Sequence, residues 1–194
     1  MKPVLRLVVG SKNPDKVAEI ESVLEETQLD VLIARGFDWP DIEETGETLE
    51  ANARQKARMV AAATGLAALA DDTGLEVAAL GGAPGVKTAR YSGPAATYGD
   101  NVARLLVDLK DEADRRAIFR TVVALVRPDG IEVTAEGILE GRIAQMPRGT
   151  FGFGYDPVFE VDGQTLAEMS PEQKNLLSHR ARALRSLALL LAHD

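Results

Sequence analysis

The chain has 194 residues, 45% of them hydrophobic and 27% charged, values of an ordinary folded domain and too apolar for disorder. Its 22 Lys and Arg stand against 30 Asp and Glu, and this net charge of −8 argues against a dedicated DNA or RNA binder while leaving room for a local basic pocket around a small anion. The absence of cysteine removes disulfides, Cys-based zinc sites, iron–sulfur clusters and thiol catalysis together.

The opening run Val4 to Val9 is broken by Arg6 and too short for a signal peptide. Within it, Leu5–Val9 reads as a buried strand ending at Gly10-Ser11. Asn13-Pro14 then starts a helix, with Asn13 as cap and Val17, Ile20, Val23 and Leu24 at helical spacing to about Glu26. Leu29–Ala34 reads as a second strand, so the chain opens β-loop-α-β, the signature of an α/β fold. A loop over 35–46 carries the acidic run Asp41-Ile42-Glu43-Glu44. Thr48 caps the next helix, which ends at Gly65, and Leu66–Ala70 is a short strand expected to stop at Asp71-Asp72-Thr73-Gly74.

Gly81 to Gly85 and Tyr91 to Pro94 are loops by composition, and a helix spans about Gly99–Leu109. Ala117–Arg127 and Ile131–Leu139 read as long strands joined by the turn Pro128-Asp129-Gly130, so the sheet is expected to be mixed. A glycine-rich loop over 149–157 leads into a strand at Val158–Val161. Ser170-Pro171-Glu172-Gln173 is a capping box, and Ser178 offers a second cap before a last helix bearing Ala181, Leu184, Leu187, Leu190 and Leu191. The apolar run Leu187 to Ala192 is too short to span a bilayer. One domain with two lobes, cytoplasmic and without a membrane partner, is the expectation.

Five segments could carry chemistry, and each also has a plain structural reading. Ser11 to Lys16 follows a strand and opens a helix, where backbone N–H groups and the helix dipole favour a phosphate; an ordinary capped helix has the same pattern. Asp71-Asp72 follows an apolar strand and suits a hard cation such as Mg²⁺, which takes one or two carboxylates plus phosphate and water; an Asx turn with solvated acids is the alternative. Glu43-Glu44 and Lys56 read by default as solvated surface. Phe151 to Pro157 alternates aromatics with glycines, either to stack on a base or to pack a strand entry into the core. Lys174 and Ser178-His179-Arg180 place donors near a helix start or decorate an amphipathic helix, whereas His193 lies too near the end to carry a role.

Taken together and in this order, the motifs Ser11-Lys12-Asn13-Pro14-Asp15-Lys16, Glu43-Glu44-Thr45-Gly46, Ala70-Asp71-Asp72-Thr73-Gly74-Leu75, Gly82-Ala83-Pro84-Gly85 with Ala89-Arg90-Tyr91-Ser92-Gly93, Gly152-Phe153-Gly154-Tyr155-Asp156-Pro157 and Ser178-His179-Arg180 give the whole chain a resemblance. It resembles the inosine triphosphate pyrophosphatase family, in particular its bacterial dITP/XTP pyrophosphatases. The resemblance implies an elongated α/β fold, a mixed sheet flanked by helices, with two lobes and a nucleotide cleft between them. It implies a homodimer and Mg²⁺-dependent cleavage of purine nucleoside triphosphates (ITP, dITP, XTP) to monophosphate and pyrophosphate, cleansing the nucleotide pool.

By the same resemblance, Ser11, Lys12, Asn13, Pro14, Asp15 and Lys16 match the triphosphate turn, and Lys56 matches a phosphate-contacting lysine. Glu44 and Asp72 match the metal ligands; Asp72 is also the proton acceptor, with Asp71 as a second acid and Lys16 completing the catalytic set. Thr73, Phe153, Gly154, Tyr155, Asp156, Lys174, His179 and Arg180 match substrate contacts, and Arg90 is a further candidate for a phosphate. Lys12 and Thr73 depart from the commoner small residue and serine at their positions, without removing a catalytic group. The rival readings are a pyrophosphatase for modified pyrimidine nucleotides, a phosphomonoesterase, and a non-catalytic nucleotide-binding protein. The first turn, Ser11-Lys12-Asn13, lacks the Asp-x-Asp of aspartyl-phosphate enzymes.

Overall fold

A computed structural model describes residues 4–27 and 29–192, so His193 lies outside the described residues. The first strand is β1 (Leu5–Val9), followed by α1 (Pro14–Glu26), β2 (Val31–Ile33), α2 (Leu49–Thr64), β3 (Ala67–Val77) and β4 (Pro84–Gly85). Then come α3 (Tyr98–Asp108), β5 (Arg116–Val126), β6 (Glu132–Ile143), β7 (Phe159–Val161), β8 (Gln164–Thr165), α4 (Pro171–Leu177) and α5 (His179–Ala192). The strands pair in the order β2-β1-β3-β5-β6-β7-β8, with β4 on β3. β1 is parallel to both β2 and β3, whereas β4 on β3, β7 on β6 and β8 on β7 are antiparallel, so the sheet is mixed.

Two compact units divide the chain, and β3, β5 and β6 contribute residues to both. Residues 1–72, 121–137 and 179–194 make the first unit. Its core joins Leu7 and Val9 of β1 to Ile20, Val23 and Leu24 of α1, Leu69 of β3, and Leu184 and Leu187 of α5. The α1 stripe at spacings of three and four turns one helix face onto α5, as a helix with one apolar side requires. The second unit, 73–120 and 138–178, packs Leu75 and Val77 of β3 with Val102 and Leu105 of α3, Phe119, Ile143, Tyr155 and Phe159.

Five sequence expectations change. β3 does not stop before Asp71 but runs on through Asp71-Asp72-Thr73-Gly74 to Val77, so the paired acids sit within a buried strand and form no Asx turn. β2 is shorter than Leu29–Ala34, and β6 reaches four residues beyond Leu139. β8 was not anticipated, and Pro84-Gly85 pairs as β4 inside a stretch read as loop. Among the described residues, no helix is long and apolar enough to cross a membrane.

Candidate active site

The first unit gathers charge around Asp71 and Asp72. Asp71 is 2% exposed and its Oδ2 accepts from Lys16 Nζ at 3.1 Å and from Arg180 Nε and Nη2 at 3.3 and 3.2 Å. Lys16 arrives on the first turn of α1, and Arg180 is the second residue of α5, which also pairs with Glu19 of α1. Burial by itself would raise the Asp71 carboxyl, but the Lys16 and Arg180 cations overcome it and hold the group far below the usual carboxylate range. Burial pushes the Lys16 ammonium down, against the pull of Asp71 and with the help of Arg180 and Lys56.

Asp72 has the opposite character. Its Oδ1 accepts from Lys56 Nζ at 2.9 Å and its Oδ2 from Asn52 Nδ2 at 3.1 Å. The same Lys56 ammonium donates to Glu44 Oε1 at 2.8 Å, so one cation spans two carboxylates that lie 28 positions apart in sequence. Burial raises the Asp72 carboxyl; Lys56 opposes this and Glu44 reinforces it, leaving the group above its ordinary value. Lys56 is driven the other way: burial lowers it, but Asp72, Asp71 and Glu44 together raise it. Adjacent acids on one strand thus take different roles, a fixed anion and a carboxylate with raised proton affinity, the separation that acid–base chemistry uses.

The α1 turn differs from a bare phosphate cradle. Asn13 Oδ1 accepts from the N–H groups of Asp15 at 3.0 Å and Lys16 at 3.5 Å, and Pro14 has no N–H to offer. Ser11 Oγ accepts from Asn13 N at 3.2 Å. An anion at this turn would therefore meet the Lys16 side chain more than first-turn amides. Lys12 reaches across to the exposed Asp41 at 2.7 Å, which ties the unusual lysine to the acidic loop. His179 is buried, with Nδ1 at 2.6 Å from Thr121 Oγ1, a contact that holds the ring in place.

A second cluster lies within the second unit. Lys174 and Asp156, 4% and 3% exposed, form a buried ion pair on which α4 is anchored. Asp156 Oδ2 also accepts from Phe153 N at 2.8 Å, and the Lys174 ammonium stands 4.8 Å from the Phe153 ring centroid. Gly152 has φ +70°, and a Cβ there would run into the Asp156 carboxylate, so glycine is required at this corner. Tyr98 approaches Phe153 with ring centroids 5.9 Å apart. Tyr155 is core: its ring packs with Val158 and Phe159 and its hydroxyl donates to Thr88 O at 3.0 Å, while burial, reinforced by Tyr91, raises the phenol. Of the aromatic loop, Phe153 is half-buried and Phe151 exposed; the side chains of Tyr155, Asp156 and Lys174 serve to hold the loop. Thr73 is half-buried next to Asp72 on β3, and Arg90 is exposed at the end of a short 3₁₀ turn.

Residues 7–189 match the family model described as the Ham1 family. The chain belongs to the Ham1 family. A protein from Geobacter sulfurreducens named dITP/XTP pyrophosphatase is 48% identical, over 97% of this chain and 96% of its own length. One of the same name from Coxiella burnetii is 44% identical over 97% of both chains. The solved structure of a HAM1 protein from Coxiella burnetii covers 98% of this chain and all of its own with a TM-score of 0.86 at 43% identity.

In this Ham1 chain the donor set suits a hard divalent cation. Glu44 and Asp72 offer carboxylate oxygens that already converge on one cationic point, the Lys56 ammonium. Among the described residues no group of three or more His, Cys, Asp or Glu is placed to hold a metal ion, so a cation held by Glu44 and Asp72 would need phosphate or water oxygens to complete its shell. Two contributors escaped the sequence reading. Glu19 joins the Arg180 pair, and Asn52, wholly buried, joins Asp72. The signal for Asn52 was there: it precedes Lys56 by four, one helical turn on the same face.

Proposed function

We propose that this Ham1 chain hydrolyses dITP, XTP and ITP to the nucleoside monophosphate and pyrophosphate, removing deaminated purines from the nucleotide pool. The observation that carries the reading is the Glu44–Lys56–Asp72 cluster, found in a chain whose relatives over nearly its full length are named for this activity. In the reaction, the oxygen of a water forms a bond to the α phosphorus while the bond from that phosphorus to the bridging oxygen breaks, releasing pyrophosphate. Asp72 accepts the proton from the water. Lys16 and Lys56 bind phosphate oxygens and offset the charge that develops on the leaving group. Asp71 stays ionised and holds Lys16 and Arg180 in position. Mg²⁺, held by Glu44 and Asp72, would supply further neutralisation of phosphate charge when bound.

Base choice follows from hydrogen bonding. Inosine and xanthosine present a 6-oxo acceptor where adenosine has a 6-amino donor. His179 is the side chain suited to donate to it, with its ring held through Thr121. An amino group facing that donor leaves both unpaired, a mismatch worth up to about 10⁴-fold in kcat/KM. Arg180 contributes indirectly, because its guanidinium is committed to Asp71 and Glu19. Phe153 supplies a half-buried aromatic face for stacking. A homodimer acting in the cytoplasm belongs to the same proposal and rests on the family resemblance; light scattering at micromolar concentration should give the mass of two chains.

The test is a panel of ITP, dITP, XTP, GTP, ATP and dUTP with Mg²⁺, reading pyrophosphate and orthophosphate separately. Pyrophosphate from the first three, abolished by EDTA and restored by Mg²⁺, is expected. Preferential cleavage of dUTP, or orthophosphate as the product, would overturn the proposal.

A further inference from the structure

The geometry points to Asn52 as the positioning residue that holds the two carboxylates of the cluster in register. This rests on the roles given above to Glu44 and Asp72. Asn52 is 0% exposed and sits in the first full turn of α2, started by the Thr48 cap whose Oγ1 accepts from Ala51 N at 3.1 Å. Its two amide atoms act in different directions. Nδ2 donates to Asp72 Oδ2 at 3.1 Å, and Oδ1 accepts from Gly46 N at 2.8 Å. A buried amide that meets its partners on both sides is rigid, and each partner inherits that rigidity.

The first contact orients Asp72. Lys56, one turn further along α2, takes Oδ1 while Asn52 takes Oδ2, so a single helix grips both oxygens of the carboxylate and fixes its plane. The second contact orients Glu44. The loop between β2 and α2 has no regular structure, but α2 ties it on both sides of Glu44: Gln55 Nε2 donates to Glu43 O at 3.0 Å and Asn52 accepts from Gly46 N. The approach is close enough that a Cβ on Gly46 would meet Asn52 Oδ1 and the Ala51 side chain, so the Thr45-Gly46 step needs its glycine for proximity. Asn52 thus bonds the acid on β3 and the backbone of the loop bearing the other acid, whereas Lys56 reaches the two carboxylates themselves. The two contacts need one donor and one acceptor on the same side chain, and the Asn52 amide supplies both.

The two contacts can be separated by substitution. Asn52→Asp is isosteric and keeps the acceptor for Gly46 N but sets a carboxylate against Asp72. Asn52→Leu removes both contacts. We expect kcat for pyrophosphate release from dITP to fall about 10–100-fold in both variants, the usual effect of removing an outer-shell partner of a ligating carboxylate, while KM changes less than about threefold. Amide hydrogen exchange supplies the readout that activity does not. Residues 43–47 should exchange faster in Asn52→Leu and stay near wild type in Asn52→Asp, with α2 and β3 protection retained in the isosteric variant. Manganese binding without nucleotide, followed by calorimetry, should weaken in Asn52→Leu. A kcat within twofold of wild type in both variants, or unchanged exchange over 43–47 in Asn52→Leu, overturns the assignment. If wild type releases no pyrophosphate, the functional proposal fails by itself, and exchange and manganese binding still decide the role of Asn52.

Discussion

Replacing Arg180 with methionine tests the idea that it stabilises the site from beneath rather than reading the base. Arg180 and Asp71 are each 2% exposed, and the pair is made through two guanidinium nitrogens at 3.2 and 3.3 Å. Taking away one partner of a buried pair strands the other charge and costs about 3–5 kcal/mol. Asp71 would keep Lys16 at 3.1 Å, and Glu19 is only half-buried and can turn to water, so the lower end, about 3 kcal/mol, is expected. In a chain of this size each kcal/mol moves Tm by about 2–4 °C, giving a drop of about 6–12 °C in far-UV circular dichroism melts at pH 7. Adding Asp71→Asn removes the stranded charge, so the double variant should melt above Arg180→Met alone. A Tm within about 2 °C of wild type, or a double variant destabilised by the sum of the two single changes, would refute the reasoning. Kinetics on the same protein separate the roles: a positioning Arg180 lowers kcat with ITP and ATP alike, whereas a base-reading one changes their ratio.

Asp72→Asn should lower pyrophosphate release about 10²–10⁴-fold while the circular dichroism spectrum is unchanged, because Lys56 keeps Glu44 as a partner. The depressed Asp71 carboxyl makes a pH prediction of definite sign. A group lowered on folding adds stability that is complete above its unfolded value, about 4, and is lost as pH falls toward the folded one. The urea midpoint of wild type should therefore fall more steeply between pH 5 and pH 3 than that of Asp71→Asn; parallel curves would show that Asp71 contributes nothing to acid sensitivity. Thr121→Val should leave the fold and the inhibition constant for pyrophosphate unaltered but narrow the preference for ITP over ATP, since it removes the hydroxyl that holds the His179 ring; an unchanged ratio in competition assays would locate base choice elsewhere.

The helices were the most legible part of the chain. Asn13-Pro14, Thr48 with Gly65, and Ser170-Pro171 mark the ends of α1, α2 and α4, and in each case the cap makes the expected hydrogen bond or left-handed turn. The mixed sheet was readable from one parallel opening unit and one pair of long strands. The course of β3 was not. Two successive aspartates look like the end of a strand, because a carboxylate in a sheet interior is costly unless its charge is met. Here it is met by Lys16, Lys56, Asn52 and Arg180, whose separations from the acids run from 16 to 109 positions.

The same division holds for the site. Composition and motif order were sufficient to argue against a nucleic-acid partner, to exclude thiol chemistry and to suggest which polar residues matter, since those features are written in residue identity and short spacing. They said nothing about which cation meets which acid. Lys174, expected among the nucleoside-binding groups, pairs with Asp156 within the second unit, and Glu19, which has no motif around it, shares Arg180 with Asp71. Caps and apolar stripes are interactions across one to four residues, so the linear order carries them. Charge compensation acts over about 3 Å in space between residues from separate elements, and it drives the Asp71 and Asp72 carboxyls in opposite directions only once the folded chain has brought their partners alongside.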